Sequence, residues 1–211
     1  MKISFLGIGQ VGSALACRLV EVGHRVSIAA RNPESESVKA ALAKTPALTV
    51  GAMPEAVAEA DVVFLATPFE NNDDALQNAG DLTGKVVVDC TNPVAPDLTH
   101  SLENEISGGE FVQNLIPTAK VVKAFTIYGF ENFENSSYPG YGELRPAMLI
   151  AGNDGEAKQT VGTLCHELGW EPVDTGDIAT SLHLEHLTLL WIKMARVQGY
   201  GADLVWGRLK R

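Results

Sequence analysis

The chain has 211 residues, 45% hydrophobic and 20% charged, which is enough to bury a core without disulfides and too apolar for a disordered segment. A formal charge of −10 with no dense Lys/Arg patch excludes a nucleic-acid binder; the only cationic cluster, Arg208, Lys210 and Arg211, reads as a solvated end. Cys17, Cys90 and Cys165 are far apart and lack a CxxC pair, so neither a disulfide framework nor a zinc site is expected.

No apolar run reaches the roughly 18 residues that cross a bilayer. The opening "MKISFLG" lacks a small-residue cleavage site in register, so a cytoplasmic protein is expected. Lys2 to Leu6 reads as a buried strand running into "GIGQVG", Gly7 to Gly12, after which Val11, Ala14, Leu15, Leu19 and Val22 recur at helical spacing until Gly23. Strand, glycine turn and helix in that order predict dinucleotide binding. Gly7 permits the turn, Gly9 lets backbone approach a pyrophosphate, and Gly12 lets helix and strand pack closely. Ile8, Gln10 and Val11 complete the phosphate-facing turn.

"HRVSIAAR" supplies the second strand, and its end selects the dinucleotide. An NAD site places Asp or Glu there against the ribose 2′-hydroxyl, whereas this chain has Arg31, which suits a 2′-phosphate and predicts NADP(H). Asn32, Ser35 and Ser37 add neutral hydrogen-bonding groups.

Alternation continues with a helix over Glu34–Lys44, a strand over Leu48–Gly51, a short helix over Pro54–Glu59, and the apolar strand Val62–Ala66. Strands follow at Val86–Val88 and Lys120–Phe125, then Ala147–Ala151, a helix Glu156–Leu168, and the strand Glu171–Asp174. The pattern predicts an α/β fold, a Rossmann-type doubly wound and mainly parallel sheet with a small C-terminal α/β extension. The softest boundary is the Gly-, Pro- and Ser-rich run Asn135–Pro146, dividing a cofactor-binding domain, 1–145, from a small C-terminal domain, 146–211. Ligands in such sheets bind beyond the carboxyl ends of the strands, so Thr67 with Pro68, and Asn92 with Pro93, join the candidate cofactor contacts.

Six of the fourteen aromatic residues, Phe125, Tyr128, Phe130, Phe133, Tyr138 and Tyr141, crowd into one stretch after a strand end. An acceptor pocket, a subunit interface and ordinary core all fit that crowding. The closing segment Leu182–Val197 is apolar on more than one helix face, so it is expected to be buried, within the domain or against a second subunit. His183 and His186 flank Glu185 but no third ligand has suitable spacing, so no metal site is expected, and Glu185 reads as a hydrogen-bonding group inside the helix.

The motifs "FLGIGQVGSALA", "DVVFLATP", "VVVDCTNP", "KAF" with its short turn, "YPG" and "LEHLTLLWIKMARVQGYG" together resemble the NADPH-dependent reductases of the deazaflavin coenzyme F-420. The resemblance covers nearly the whole chain. It implies hydride transfer between NADP(H) and a deazaflavin or flavin-like acceptor, and a homodimer. Where many members read "KAFNT" this chain reads "KAFTIYG", and the lysine some members add to the 2′-phosphate site falls near Ser35. Thr126, Tyr128 and Phe130 would then wall the acceptor, with Gly199 and Gly201 letting backbone approach from another side. A flavin or ferric reductase resembling the cytosolic part of membrane metalloreductases is the alternative enzyme. An NADP(H)-sensing protein is the alternative from another class.

Overall fold

In the computed structural model, which describes residues 1–211, the chain begins with β1 (Lys2–Leu6), α1 (Gln10–Glu21), β2 (Arg25–Ala29), α2 (Glu36–Lys44), β3 (Thr49–Gly51) and α3 (Met53–Glu59). It continues with β4 (Val62–Leu65), α4 (Asn72–Gln77), β5 (Val86–Asp89), α5 (Gly108–Leu115), β6 (Lys120–Lys123) and α6 (Phe130–Glu134). β7 (Ala147–Gly152), α7 (Gly155–Glu167), β8 (Glu171–Asp174) and α8 (Ser181–Ile192) complete it, with a π-helical turn at Lys193–Val197.

The strands read as apolar runs because both sheet faces are covered. Ile3 and Phe5 of β1, Val62 and Phe64 of β4, Val88 of β5 and Val122 of β6 point into one layer with α1, α2 and α7. Leu6, Val63, Leu65, Val87 and Val121 point into a second layer with α3, α4 and α5. Each such fully buried side chain contributes about 1.5–3 kcal/mol.

The strand order is β3-β2-β1-β4-β5-β6-β7-β8. β1 to β6 are parallel, β7 runs antiparallel to β6, and β8 is parallel to β7. This is the doubly wound order with two added strands, and its switch point, where connections leave β1 in opposite directions, opens a crevice between β1 and β4. Residues 146–211 supply β7 and β8 to the same sheet.

Strand six ends earlier than its apolar run predicts, because Phe125 adopts a left-handed φ of 55° and turns the chain. Three helices, α4, α5 and α6, are not anticipated from the sequence. The closing helix corrects another expectation, since it is not buried all round. Ser181, Leu184, Glu185, Thr188, Trp191 and Ala195 face inward, whereas His183, His186 and Leu190 are exposed. Its buried face is thus partly polar and its outer face partly apolar.

Candidate functional site

At the end of β1 the chain turns at Gly7 (φ +92°), where a Cβ would sit 2.6 Å from the Ala66 carbonyl oxygen. A Cβ on Gly12 would lie 2.4 Å from the Gly7 carbonyl oxygen, so α1 approaches β1 this closely only with glycine there. Gly9 differs. It is the N-cap of α1, offers no side-chain cap, and a Cβ would meet nothing within 4 Å. The first N–H groups of α1, from Gln10 onward, thus carry no side-chain cap, as an anion site at a helix N-terminus requires. Ile8 is buried beneath the turn, Val11 is half-buried, and Gly9 and Gln10 are exposed.

Beside this turn lies a cleft of about 270 Å³ whose lining includes Gly7, Ile8, Arg31, Asn32, Thr67 and Asp74. Arg31 projects from the end of β2 and its Nη1 lies 2.5 Å from Oδ2 of Asp74 on α4, so an ion pair spans the two walls. Ser35 and Ser37 also line the cleft, their hydroxyls 3.3 Å apart, while Asn32 Oδ1 accepts the Glu34 N–H. Pro68 is exposed, ahead of a 3₁₀ turn at Phe69–Asn71.

Further along the carboxyl edge of the sheet, Asn92 Nδ2 donates to the Thr126 carbonyl at 3.1 Å, and the Thr188 hydroxyl lies 3.2 Å from Asn92 Oδ1 and 3.1 Å from the same carbonyl. The loops after β5 and β6 are thereby joined to α8. Pro93 is buried, and so is Thr126, whose hydroxyl has no hydrogen-bond partner.

A chain of buried polar groups runs inward from the cleft. Thr67 Oγ1 donates to Asn72, Asn72 Nδ2 to Thr91 Oγ1, and Thr91 Oγ1 to Asp89. Lys123 Nζ then bridges Asp89 Oδ2 at 3.0 Å and Glu185 Oε1 at 2.9 Å. Glu185 also accepts from His100 Nε2 and from the N–H groups of Gly108 and Gly109. Burial alone would lower the Lys123 pKa, but the charges of Asp89 and Glu185 outweigh it and hold the pKa above its ordinary value. Burial would likewise raise the pKa of Glu185, and Lys123, His100 and the Gly108 N–H together bring it below the ordinary carboxylate value. The reading of Glu185 as a hydrogen-bonding group within the helix agrees with this geometry.

The aromatic stretch needs a correction. Tyr128 is buried, stacked on Trp170 at 5.2 Å, with its hydroxyl donating to the Ala147 carbonyl at 2.7 Å and accepting from Trp206 N–H at 3.1 Å. With those bonds made, it packs against the C-terminal segment 202–207 and lines neither the cleft nor the hollow beside the glycine turn. Phe125 and Phe133 are buried in the same cluster. Asn132 Nδ2 donates to the Ala202 carbonyl and Trp191 Nε1 to that of Leu204, so this region pins the C-terminal strap 202–207. Phe130 alone of these rings reaches the glycine turn, lining a hollow of about 360 Å³ with Ile8, Gly9 and Gln10. Gly199 and Gly201 (φ +76° and +97°) lie on the turn leading to the strap and do not line the cleft.

Asn72, Asp74 and Thr188 are site residues that sequence reasoning misses. The first two stand in the polar run "FENNDD" just after β4, and Thr188 is the polar interruption in "LEHLTLLW".

The fold and the glycine turn define a dinucleotide-binding α/β protein. Residues 2–93 match the family model described as NADP oxidoreductase, coenzyme F420-dependent. A crystal structure of a putative F420-dependent NADP reductase from Arthrobacter sp. FB24 superposes with a TM-score of 0.84 at 32% identity, over 96% of each chain. The chain belongs to this family and is an NADP-dependent oxidoreductase. It is also 31% identical over 189 residues to the rat metalloreductase STEAP3, a match covering 89% of this chain and 36% of that protein, so the chain spans about a third of that relative's length. A reductive aminase from Aspergillus terreus in complex with NADPH shares the fold alone, at 18% identity and a TM-score of 0.67, over 94% of this chain and 63% of that one. No helix is long and apolar enough to cross a membrane.

Proposed function

We propose that the crevice binds NADP(H) and that the protein exchanges a hydride between it and a flavin-like or deazaflavin (F-420) acceptor. The observation that carries the cofactor reading is the bare α1 N-terminus above Gly9 beside a cleft whose one cation is Arg31. In this reading Gly7 to Gly12 receive the pyrophosphate, Arg31, with Asn32, receives the 2′-phosphate, and Thr67 with Pro68 and Asn92 with Pro93 run along the cofactor. NADPH, when bound, supplies the hydride. The protein's part is to orient the two rings and keep water out, which calls for shape more than for an acid or base. The tie among Asn92, Thr126 and Thr188 supports that role, and Phe130, the one ring of the aromatic stretch beside the glycine turn, is the remaining aromatic candidate for the acceptor's wall. Gly199 leaves open space ahead of the strap, whereas Gly201 is closed against Asp203 Oδ1, 2.8 Å from where a Cβ would sit.

The family description and the Arthrobacter relative support a deazaflavin. The metalloreductase match supports a second reading, NADPH-driven reduction of flavin or a ferric chelate. A cytoplasmic location and a homodimer belong to the same proposal. So does the division at 145/146, with the first part holding the cofactor and the second closing the acceptor side.

Anaerobic NADPH oxidation with F-420, FMN, FAD and a ferric chelate side by side tests the acceptor. Turnover with F-420 well above the others is the expected result, and turnover only with flavin or iron moves the assignment to the second reading. No turnover with any of them removes the proposal.

A further inference from the structure

We propose that Asp74 is an internal competitor for the Arg31 guanidinium and so limits how strongly the cleft prefers a 2′-phosphorylated dinucleotide over its unphosphorylated counterpart. The inference rests on the reading that this cleft takes the adenosine half of NADP(H). Among the residues that line it, Arg31 is the only base and Asp74 the only acid. A phosphate site gains from a net positive wall, and here the one positive charge is met by a carboxylate 2.5 Å away before any ligand arrives.

The pair is built to open. Both side chains are more than half exposed, at 63% and 52%, and come from opposite walls, Arg31 after β2 and Asp74 from α4. An exposed bridge of this kind adds little to stability. The neighbouring Asp73 carboxylate accepts from Gln77 and does not line the cleft, so the competition falls to Asp74 alone.

A phosphate either displaces Asp74 from the Arg31 guanidinium or takes its other N–H donors and sits within a few ångströms of that carboxylate, and either course opposes binding. A 2′-hydroxyl meets neither obstacle and can donate to the same oxygen. Two unit charges about 6 Å apart in water repel enough to change affinity roughly threefold, and more where solvent is partly excluded.

The test is titration calorimetry of NADPH and NADH with the wild type, Asp74→Asn, Arg31→Ala and the double variant. Asp74→Asn should tighten NADPH about three- to tenfold and change NADH by less than about twofold, with a smaller NADPH gain when Arg31 is already absent. Unchanged or weaker NADPH binding in Asp74→Asn, while Arg31→Ala still weakens it, overturns the inference and leaves the cleft reading intact. If neither substitution alters NADPH affinity, the cleft reading fails and the inference falls with it.

Discussion

Burying a carboxylate such as Glu185 is costly unless its lone pairs find donors, and here Lys123, His100, Gly108 and Gly109 all supply them. Removing one partner should therefore be severe. Lys123→Met leaves Asp89 and Glu185 buried without the cation they share, and a loss of about 3–5 kcal/mol is expected. In a chain of this size that lowers the melting temperature by about 6–20 °C, measurable by calorimetry. Because the folded-state pKa of Glu185 is depressed, its stabilisation is fully present above the ordinary value of 4.5 and is lost as pH falls through the lower folded value. The stability gap between wild type and Glu185→Gln, read as urea midpoints, should thus be constant from about pH 6 to 8 and narrow below about pH 4.5. A gap that does not narrow would mean that the carboxylate's charge is not what the site uses. Tyr128→Phe removes a hydroxyl bonded at both β7 and the strap, so about 1–2 kcal/mol of stability should go while NADPH affinity stays the same.

Among the elements, the parallel strands were legible because they are covered on both faces, which leaves unbroken apolar runs such as Val62 to Leu65. The helix α5 was not, since it begins with Gly108 and Gly109, both poor helix formers. Packing requires those glycines, because a Cβ would lie 2.9 Å from Glu185 Oε1 or 2.4 Å from Ser181 Oγ. The one local sign of this helix is the capping box of Ser107 and Glu110, legible in "SGGE". The aromatic stretch was legible as a cluster but not as a role, because its partners, Trp170, Trp191 and the strap, lie up to about 80 residues further along the chain. For α8, hydropathy alone could not separate the inward polar groups Glu185 and Thr188 from the outward Leu190. That outward leucine, with Val197 and Tyr200 also exposed, is the surface we propose for the homodimer. Leu190→Glu should shift the mass seen by light scattering from dimer to monomer without altering NADPH binding. A wild type that is already monomeric at micromolar concentration removes this proposal.

At the scale of the whole molecule, one sheet carries both the cofactor crevice and the elements that close around it. β7 begins at the carboxyl edge of the parallel strands, so Ala147 and the strap reach the edge where ligands bind. Position along the chain explains why the proposed cofactor residues could be read together from the sequence and the proposed acceptor residues could not. Gly7 to Gly12 and Arg31 fall within one βαβ unit, whereas the acceptor side, as we propose it, draws on loops after β5 and β6, on α8 and on the strap. We propose that this oxidoreductase recognises its dinucleotide through Arg31. Steady-state kcat/KM for NADPH and for NADH, in wild type and Arg31→Ala with one common acceptor, tests it most directly. Charge-assisted hydrogen bonds to a phosphate are worth about 1.5–3 kcal/mol, so the wild type should favour NADPH by about ten- to hundredfold. Arg31→Ala should bring that ratio close to one by slowing NADPH alone, whereas equal use of both cofactors by the wild type, or a preference that survives the substitution, would contradict the account.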